Sequence, residues 1–436
     1  EDKNFHMIIL DTPERRKIMA SEDYKDIFCC IRCAACLNVC PAFRLVGGHV
    51  YGGSIYTGGI GTLLTSFLNS RERGKDIQNI CLQCGTCNTV CGGKLDIAGM
   101  ILKLRTKFAQ EDGLNPVHKF CLDTVADRHL FHSMLRIASV AQGMITKGQP
   151  MIRHLPMFLS GLTAGRSLPS VAPQPFRDIL PTIKQDVPNP KGKIAIFTGC
   201  LLDFVYVDIA TDVVKALNMA GYIVEMPLGQ ACCGAPATYM GDVENAKKAA
   251  ELNLNAMEAE KYDYIVSACP TCTHALRDYV DFFKDDPEML KKAEELRSKT
   301  FDFCKLVSML GGLPDTGDGV PMKVTYHDSC HLNRYLGVTK EQRELLKATK
   351  GVELIEMHDC DKCCGFGGSY SVKFPEMSAP ILEEKINNIV ASGADVVAVD
   401  CPGCLLQIRG GLDARGLNNI QVKHTAQIVV EKREKK

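Results

Sequence analysis

The chain has 436 residues, 51 lysines and arginines against 51 aspartates and glutamates, and a hydrophobic fraction of 46%. That is length for about two or three domains of ordinary globular composition, and zero net charge leaves no electrostatic footprint for nucleic acid or an acidic surface. The outlier is 22 cysteines in ligand-like groups, with no secretory leader and no 18-residue apolar run, so a reducing compartment with bound metal is expected rather than disulfides.

The stretch 1–25 is polar. Arg15-Arg16 is followed by Lys17 and Ser21-Glu22-Asp23, where an export signal needs an apolar core. A first domain is expected over residues 26–112. Cys30, Cys33, Cys36 and Cys40 before Pro41 are spaced C-x-x-C-x-x-C-x-x-x-C-P, and Cys81, Cys84, Cys87 and Cys91 repeat the spacing with Gly92-Gly93 in place of the proline. Three cysteines two residues apart let one tight loop wrap three corners of a [4Fe–4S] cube, while the fourth reaches the other cluster. This is the run of two-cluster ferredoxins. Cluster one is therefore expected on Cys30, Cys33, Cys36 and Cys91, and cluster two on Cys81, Cys84, Cys87 and Cys40. Cys29 stands one residue too early, and Cys30 is taken in its place. A zinc ribbon needs C-x-x-C pairs, not such quartets. The glycines of Gly47-Gly48-His49-Val50-Tyr51-Gly52-Gly53 and Gly58-Gly59-Ile60-Gly61 lack the strand-to-helix phosphate fingerprint and read as close-packing positions. A helix with Ile97, Ile101, Leu104 and Phe108 on one face is expected over 97–110, stopped by Gly113 and Pro116.

Residues 113–190 change character. A helical part is expected over about 117–147. Eight prolines between Pro150 and Pro190 then predict an irregular connector rather than a packed domain. Residues 130–162 mix apolar and basic side chains, Met134, Leu135, Ile137, Met144, Met157 and Phe158 among them. They read as a stripe packed on its own protein, with a membrane-surface or partner-docking helix as the second reading.

From Lys191 strands and helices alternate, and one cysteine pattern is written twice. A strand at 194–197 leads to Cys200, one at 222–226 to Cys232-Cys233, and one at 264–266 to Cys269-Pro270-Thr271-Cys272. Helices are expected between them over 208–220 and from Asp242. In the second copy a strand at 324–326 leads to Cys330, one at 352–355 to Cys363-Cys364, and one at 396–399 to Cys401-Pro402-Gly403-Cys404. Its helices are expected over 339–349 and 380–390. Each double cysteine is followed by glycine, Gly234 or Gly365. The copies are offset by 130, 131 and 132 residues at successive elements, the mark of an internal duplication. Two domains are expected, 191–312 and 321–436. Such alternation gives parallel sheets with helices on their faces, and ligands bind at the carboxyl ends of the strands, where every cysteine element falls. The expected fold class is α+β: an α-helical two-[4Fe–4S] ferredoxin-like domain, then two duplicated α/β parallel-sheet domains. Cys121 and Cys304 are expected to be small buried residues. Cys360 is an extra candidate ligand beside Cys363. His327 and His331 flank Cys330 and read as hydrogen-bond partners of cluster sulfur, with ligation or proton donation as the alternative.

The gaps of 31 and 35 residues in the first copy, and of 32 and 36 in the second, resemble the cysteine-rich CCG domain of heterodisulfide reductase subunits. The order ferredoxin, linker, CCG, CCG is similar to that of glycolate oxidase iron–sulfur subunits, of the C subunit of anaerobic glycerol-3-phosphate dehydrogenase and of lactate-utilisation iron–sulfur proteins. The resemblance covers the chain past residue 28. It implies a noncubane [4Fe–4S] cluster on Cys200, Cys232, Cys233, Cys269 and Cys272, and another on Cys330, Cys363, Cys364, Cys401 and Cys404. Zinc at one of these sites is the alternative.

The function this implies is an iron–sulfur electron-transfer subunit of a multisubunit oxidoreductase. Electrons would come from a flavoprotein partner, a lactate- or glycolate-type dehydrogenase or an electron-transfer flavoprotein. They would leave through two cubane and two CCG-site clusters to a quinone, a membrane subunit or a disulfide. The residues agree, since no flavin or nicotinamide fingerprint, H-E-x-x-H or G-x-S-x-G stands in the chain. The alternative is a catalytic subunit that cleaves a disulfide, with Cys232, Cys233, Cys363 and Cys364 as candidates. A zinc-stabilised scaffold is the third reading. The expected location is cytoplasmic, free or peripheral at the inner membrane face.

Overall fold

Apolar residues recurring every three or four positions draw the helix Ile97–Asp112 into the first core, where Ile97, Met100, Ile101, Leu104 and Phe108 are all buried. The structure, a computed structural model, describes residues 4–9, 11–143, 151–153, 165–314 and 319–433, and divides into two units, Glu1–Asp112 and Gly113–Lys436. In the first unit the helix Gly58–Leu68 packs on Ile97–Asp112 through Leu63 and Leu64, and the helix Pro13–Met19 adds Ile18 to the same core. Close backbone packing accounts for Gly58: its φ is +67°, and a Cβ there would stand 1.9 Å from Leu37 Cδ2. Among the described residues no helix is long and apolar enough to cross a membrane.

The second unit holds two four-stranded sheets built to one plan. The first contains β1 Lys193–Ile196, β2 Ile223–Glu225, β3 Tyr264–Ser267 and β4 Thr300–Asp302. The second contains β5 Met322–His327, β6 Val352–Leu354, β7 Val396–Val399 and β8 Gln421–Lys423. The orders are β2-β1-β3-β4 and β6-β5-β7-β8, with every pairing parallel. Ile194 stands opposite Val224 on one side and Tyr264 on the other; Val324 stands likewise between Leu354 and Val396. The central strands are apolar and buried on both faces, which parallel sheets under two helix layers require. β4 and β8 carry no sequence signal of their own. Each is three residues with a single apolar centre, and sheet pairing rather than pattern makes it a strand. The helix expected from Pro380 starts earlier, at Pro375, and keeps Pro380 inside it.

The two sheet domains pack as mutual images. The helix Val207–Met219, which follows β1, packs on Thr425–Glu431, which follows β8. The helix Phe303–Met309, which follows β4, packs on Glu341–Lys347, which follows β5. Each copy thus sets its first main helix against the last helix of the other, and one core runs from Phe176 to Val430. A buried polar group sits on this seam. Tyr326 Oη donates to Asp400 Oδ2 at 2.6 Å, and Cys304 Sγ lies 3.6 Å from the same oxygen. Asp302 caps Phe303–Met309 by accepting from Lys305 N at 2.8 Å, and burial, then the charge of Asp400, pushes its carboxyl up to about 7.

Three expectations for residues 113–190 are corrected. The described part of the proline-rich stretch is packed, not irregular filler. Phe176 is fully buried in the main core, and Arg177 Nε donates to the buried Asp203 at 2.7 Å. Prolines are tolerated there because the backbone bonds go to neighbouring elements, Ala172 N to Phe204 O at 2.7 Å and Ser167 N to Gly410 O at 3.0 Å. The apolar stripe is exposed instead of packed. The helix Arg128–Ala141 has no buried residue, and Leu130, Met134, Ile137 and Val140 face solvent. Met144, Met157 and Phe158 lie outside the described residues. Cys121 is exposed, because Leu122 and Ala126 take the inward face of Pro116–Ala126 and leave Val117 and Cys121 on the other. Cys304 is buried.

Two stability measurements test this packing. Gly365 has φ +82° and a Cβ there would meet Ser378 O at 2.7 Å, whereas Gly416, at φ +70°, has nothing within 4 Å. Gly365→Ala is expected to cost about 2–4 kcal/mol and Gly416→Ala about 1 kcal/mol, read as melting midpoints of the metal-loaded chain. Asp302→Asn is expected to raise the midpoint near pH 8 and to lose that advantage near pH 4. A carboxyl raised from 3.8 to about 7 supports the fold while protonated; that support is lost as pH rises through about 7, by up to ~4 kcal/mol. Identical pH profiles for the two proteins would contradict the buried carboxyl.

Candidate metal centres

Two short loops present the first eight sulfurs. Arg32 and Ala34 precede the helical turn Ala35–Asn38, and Gln83 and Gly85 precede Thr86–Thr89, with φ of 59°, 63°, 59° and 70°. Left-handed residues between right-handed ones turn successive N–H groups to one side, a nest for an anionic group. Three of the four are not glycine, and each such residue costs roughly 1–2 kcal/mol unless its surroundings hold it. Cys30, Cys33, Cys36 and Cys91 line one cavity of about 300 Å³, with Cys29, Ile60 and Leu95 in its wall. Cys40, Cys81, Cys84 and Cys87 face one another at a second place. Burial, then the charges of Cys81 and Cys84, pushes the Cys40 thiol up to about 12 and Cys87 higher. Thiols held this high become thiolates only beside a cation, which suits a metal group and disfavours an empty pocket. Two neighbours of this quartet carry no sequence signal. Tyr51, 1% exposed, is hydrogen-bonded to Cys81. Arg105 Nη2 donates to Cys81 O at 3.1 Å and Gln78 O at 2.7 Å. A charged residue within an amphipathic helix reads as surface until the packing is known.

In the second unit the strand ends deliver the paired sets. Cys200 follows β1, Cys232-Cys233 follows β2, and Cys269 caps the helix Pro270–Arg277 after β3. Cys330, Cys363-Cys364 and Cys401 repeat this after β5, β6 and β7, with Cys401 capping Pro402–Ala414. Gly234 and Gly365 turn left-handed, φ +81° and +82°, directly after each double cysteine. Thiol contacts run Cys200–Cys232–Cys233–Cys272–Cys269 in the first set and Cys401–Cys404–Cys364–Cys363 in the second. Cys269 touches Cys401 across the seam, and these are the same position in the two copies. Eight of the ten are buried; Cys200 and Cys330 are partly exposed. Cys233, Cys364 and Cys401 are each held below the usual thiol value because each accepts from two neighbouring thiols. Cys272, Cys269 and Cys404 are pushed up in return. The seam is thus a buried run of soft, partly anionic sulfur, chemistry that fits iron or zinc.

Groups from both copies surround it. Cys330 Sγ lies 3.6 Å from His331 Nδ1, and His331 Nε2 lies 2.7 Å from Tyr239 Oη of the first copy. Tyr335 stacks on the same ring at 5.0 Å. Burial, then the nearby His274, pushes His331 down to about 4, so the ring is neutral and acts through hydrogen bonds. His327 lies with Cys364 and Cys404 in one group whose donor atoms are all within 4.8 Å of one another. Lys385, 2% exposed, donates to the carbonyls of Asp359 at 2.6 Å and Cys360 at 3.2 Å, and its charge acts on Cys364 and Cys363. Nothing in the sequence marks Lys385 for this place. The Cys360 thiol is engaged away from the array, bonded to Asp328 and 3.6 Å from Arg343 Nη2.

Comparison with known proteins agrees with this division. The cysteine-rich domain family (CCG) matches twice, at residues 194–277 and 324–409, and the 4Fe-4S dicluster domain family matches residues 26–95. Lactate utilization protein A of Shouchella clausii is 39% identical over 240 residues, 55% of this chain and 99% of the relative. The probable glycolate oxidase iron-sulfur subunit of Bacillus subtilis is 29% identical over 428 residues, 94% of each chain. A crystal structure of a hypothetical protein from Helicobacter pylori shares the fold, with a TM-score of 0.51 at 10% identity over 98% of this chain and 74% of that one. With a dicluster region ahead of two cysteine-rich domains, and with these relatives, the chain belongs to the CCG-domain iron–sulfur oxidoreductase family.

Proposed function

We propose that the chain is the electron-transfer subunit of a multisubunit oxidoreductase. In this reading Cys30, Cys33, Cys36 and Cys91 hold one [4Fe–4S] cubane, and Cys81, Cys84, Cys87 and Cys40 a second. Cys200, Cys232, Cys233, Cys269 and Cys272 hold a noncubane cluster, and Cys330, Cys363, Cys364, Cys401 and Cys404 its counterpart. Such clusters supply one-electron carriers when bound. The observation that carries the reading is the buried run of thiol contacts through nine of the ten cysteines, eight of the ten being closed to solvent. Burial suits passage of electrons better than turnover of a substrate. The chain's own residues set the terms: Lys385 and Arg105 place positive charge beside anionic sulfur, and Tyr51 and His331 supply hydrogen bonds. The relatives' names, lactate utilization and glycolate oxidase, point to a flavin-containing hydroxy-acid dehydrogenase as the donor, with an electron-transfer flavoprotein as the other candidate. A quinone or a membrane subunit is the proposed acceptor, reached from the cytoplasmic side.

A second reading, disulfide cleavage at Cys232, Cys233, Cys363 and Cys364, draws on the Cys269–Cys401 contact. Two one-electron donors that meet at one place could act on one substrate.

Anaerobically isolated chain is expected to hold about 16 irons; about eight irons with two zincs would make the paired sites structural. The same sample is expected to be reduced by its native flavoprotein and to show no turnover of a simple disulfide with reduced viologen. A partnerless chain that cleaves the disulfide would reverse the order of the two readings. Arg105→Gln is expected to lower the potential of one ferredoxin-region cluster by about 59 mV, a tenfold loss of preference for the added electron, while Arg105→Lys retains most of it. Redox titration followed by EPR reads both variants, and unmoved potentials would leave Arg105 a purely structural role.

A further inference from the structure

The two five-cysteine sets are copies, yet one donor separates them. Three residues ahead of the leading cysteine stand Phe197 in the first copy and His327 in the second. Both mark the end of the central strand, and both are buried. Phe197 offers the first set no donor. His327 is 1% exposed, neither of its ring nitrogens has a nitrogen or oxygen partner among the described residues, and its contact is to the Cys364 thiol. A buried imidazole that has lost its water and meets only sulfur, a weak partner, is poorly compensated, and native structures rarely retain one without a role for it. What it faces is sulfur. One ring nitrogen, Cys364 Sγ and Cys404 Sγ all lie within 4.8 Å of one another. Donors around a tetrahedral metal ion stand ~3.3–3.8 Å apart, so a contraction of about 1 Å closes this group on one ion.

We propose that His327 is a metal ligand of the second five-cysteine site, which makes that site a mixed imidazole–thiolate centre while the first stays all-thiolate. The proposal rests on the reading above that the paired sets hold metal. Its consequence is directional. Where the ring takes the place of one thiolate, the loss of an anionic ligand raises the potential of an iron–sulfur centre, so an electron shared between the sites settles at the second.

The test uses the full chain, purified anaerobically, reduced, and labelled with 15N-histidine. Pulsed EPR is expected to show a directly bound nitrogen whose coupling changes isotope pattern with the label. That coupling is expected to persist in His331→Gln and to vanish in His327→Phe, which installs the residue of the first copy. Should His327→Phe fail to take up metal, His327→Cys supplies a thiolate instead and is expected to load with the coupling absent. Only the weak coupling of a hydrogen-bonded ring, or a strong coupling that survives both His327 variants, overturns the proposal. If the second set holds zinc, absorption at the zinc edge is expected to show one nitrogen among the sulfurs, and an all-sulfur shell overturns it. Metal with all-sulfur ligation sinks this inference alone, whereas a second set without iron or zinc sinks the wider reading with it.

Discussion

Thiols that cluster in a buried seam repel one another as soon as more than a few ionise. The second unit is arranged around that constraint. Its sulfurs divide into positions held low by two thiol donors, Cys233, Cys364 and Cys401, and neighbours pushed up beside them, Cys232, Cys272, Cys269 and Cys404. Lys385 is buried beside the second set at a cost in desolvation, and its charge partly offsets the negative sulfur there. Such a seam is tolerable in a folded chain when cationic metal completes it, which couples metal uptake to stability.

Duplication brings the sulfurs to that seam. Each sheet leaves its cysteine elements at the carboxyl ends of its strands, the ordinary binding edge of a parallel sheet. Packing the helix after β1 against the helix after β8, and that after β4 against that after β5, turns the two edges toward each other. Equivalent positions then meet, as Cys269 and Cys401 do. Once a site is built twice, each copy is free to diverge. Phe197 against His327 and Gly229 against Cys360 are differences of this kind, placed where one copy contacts sulfur or its supports.

The first unit solves a similar problem with loops. Its sulfurs come from two tight turns with left-handed residues at Arg32, Ala34, Gln83 and Gly85, braced by a helical core around Leu63 and Ile101. Tyr51 and Arg105 supply polar partners to one quartet only. The two quartets are therefore alike in ligand spacing and unlike in surroundings.

What was legible in advance followed from local rules. Cysteine spacing along 30–40 and 81–91 is set by the reach of a single loop, and the strand–helix rhythm after Lys191 by hydrophobic periodicity; both are properties of neighbouring residues. The duplication was legible because its offsets are arithmetic. The burial of Phe176 in a proline-rich stretch, the exposure of Cys121, and the three-residue strands β4 and β8 were not, since each depends on what a distant segment presents. The same holds for Arg105 and Lys385, whose helices give no local reason for a buried charge. The sequence by itself determined which residues could ligate and that the cysteine domain is built twice. Only the tertiary structure decided that the two sets share one buried seam, that Cys360 is held elsewhere by Asp328 and Arg343, and that His327 rather than Phe197 presents a donor to sulfur. Contacts between residues more than a hundred positions apart are made by packing, which no local pattern encodes.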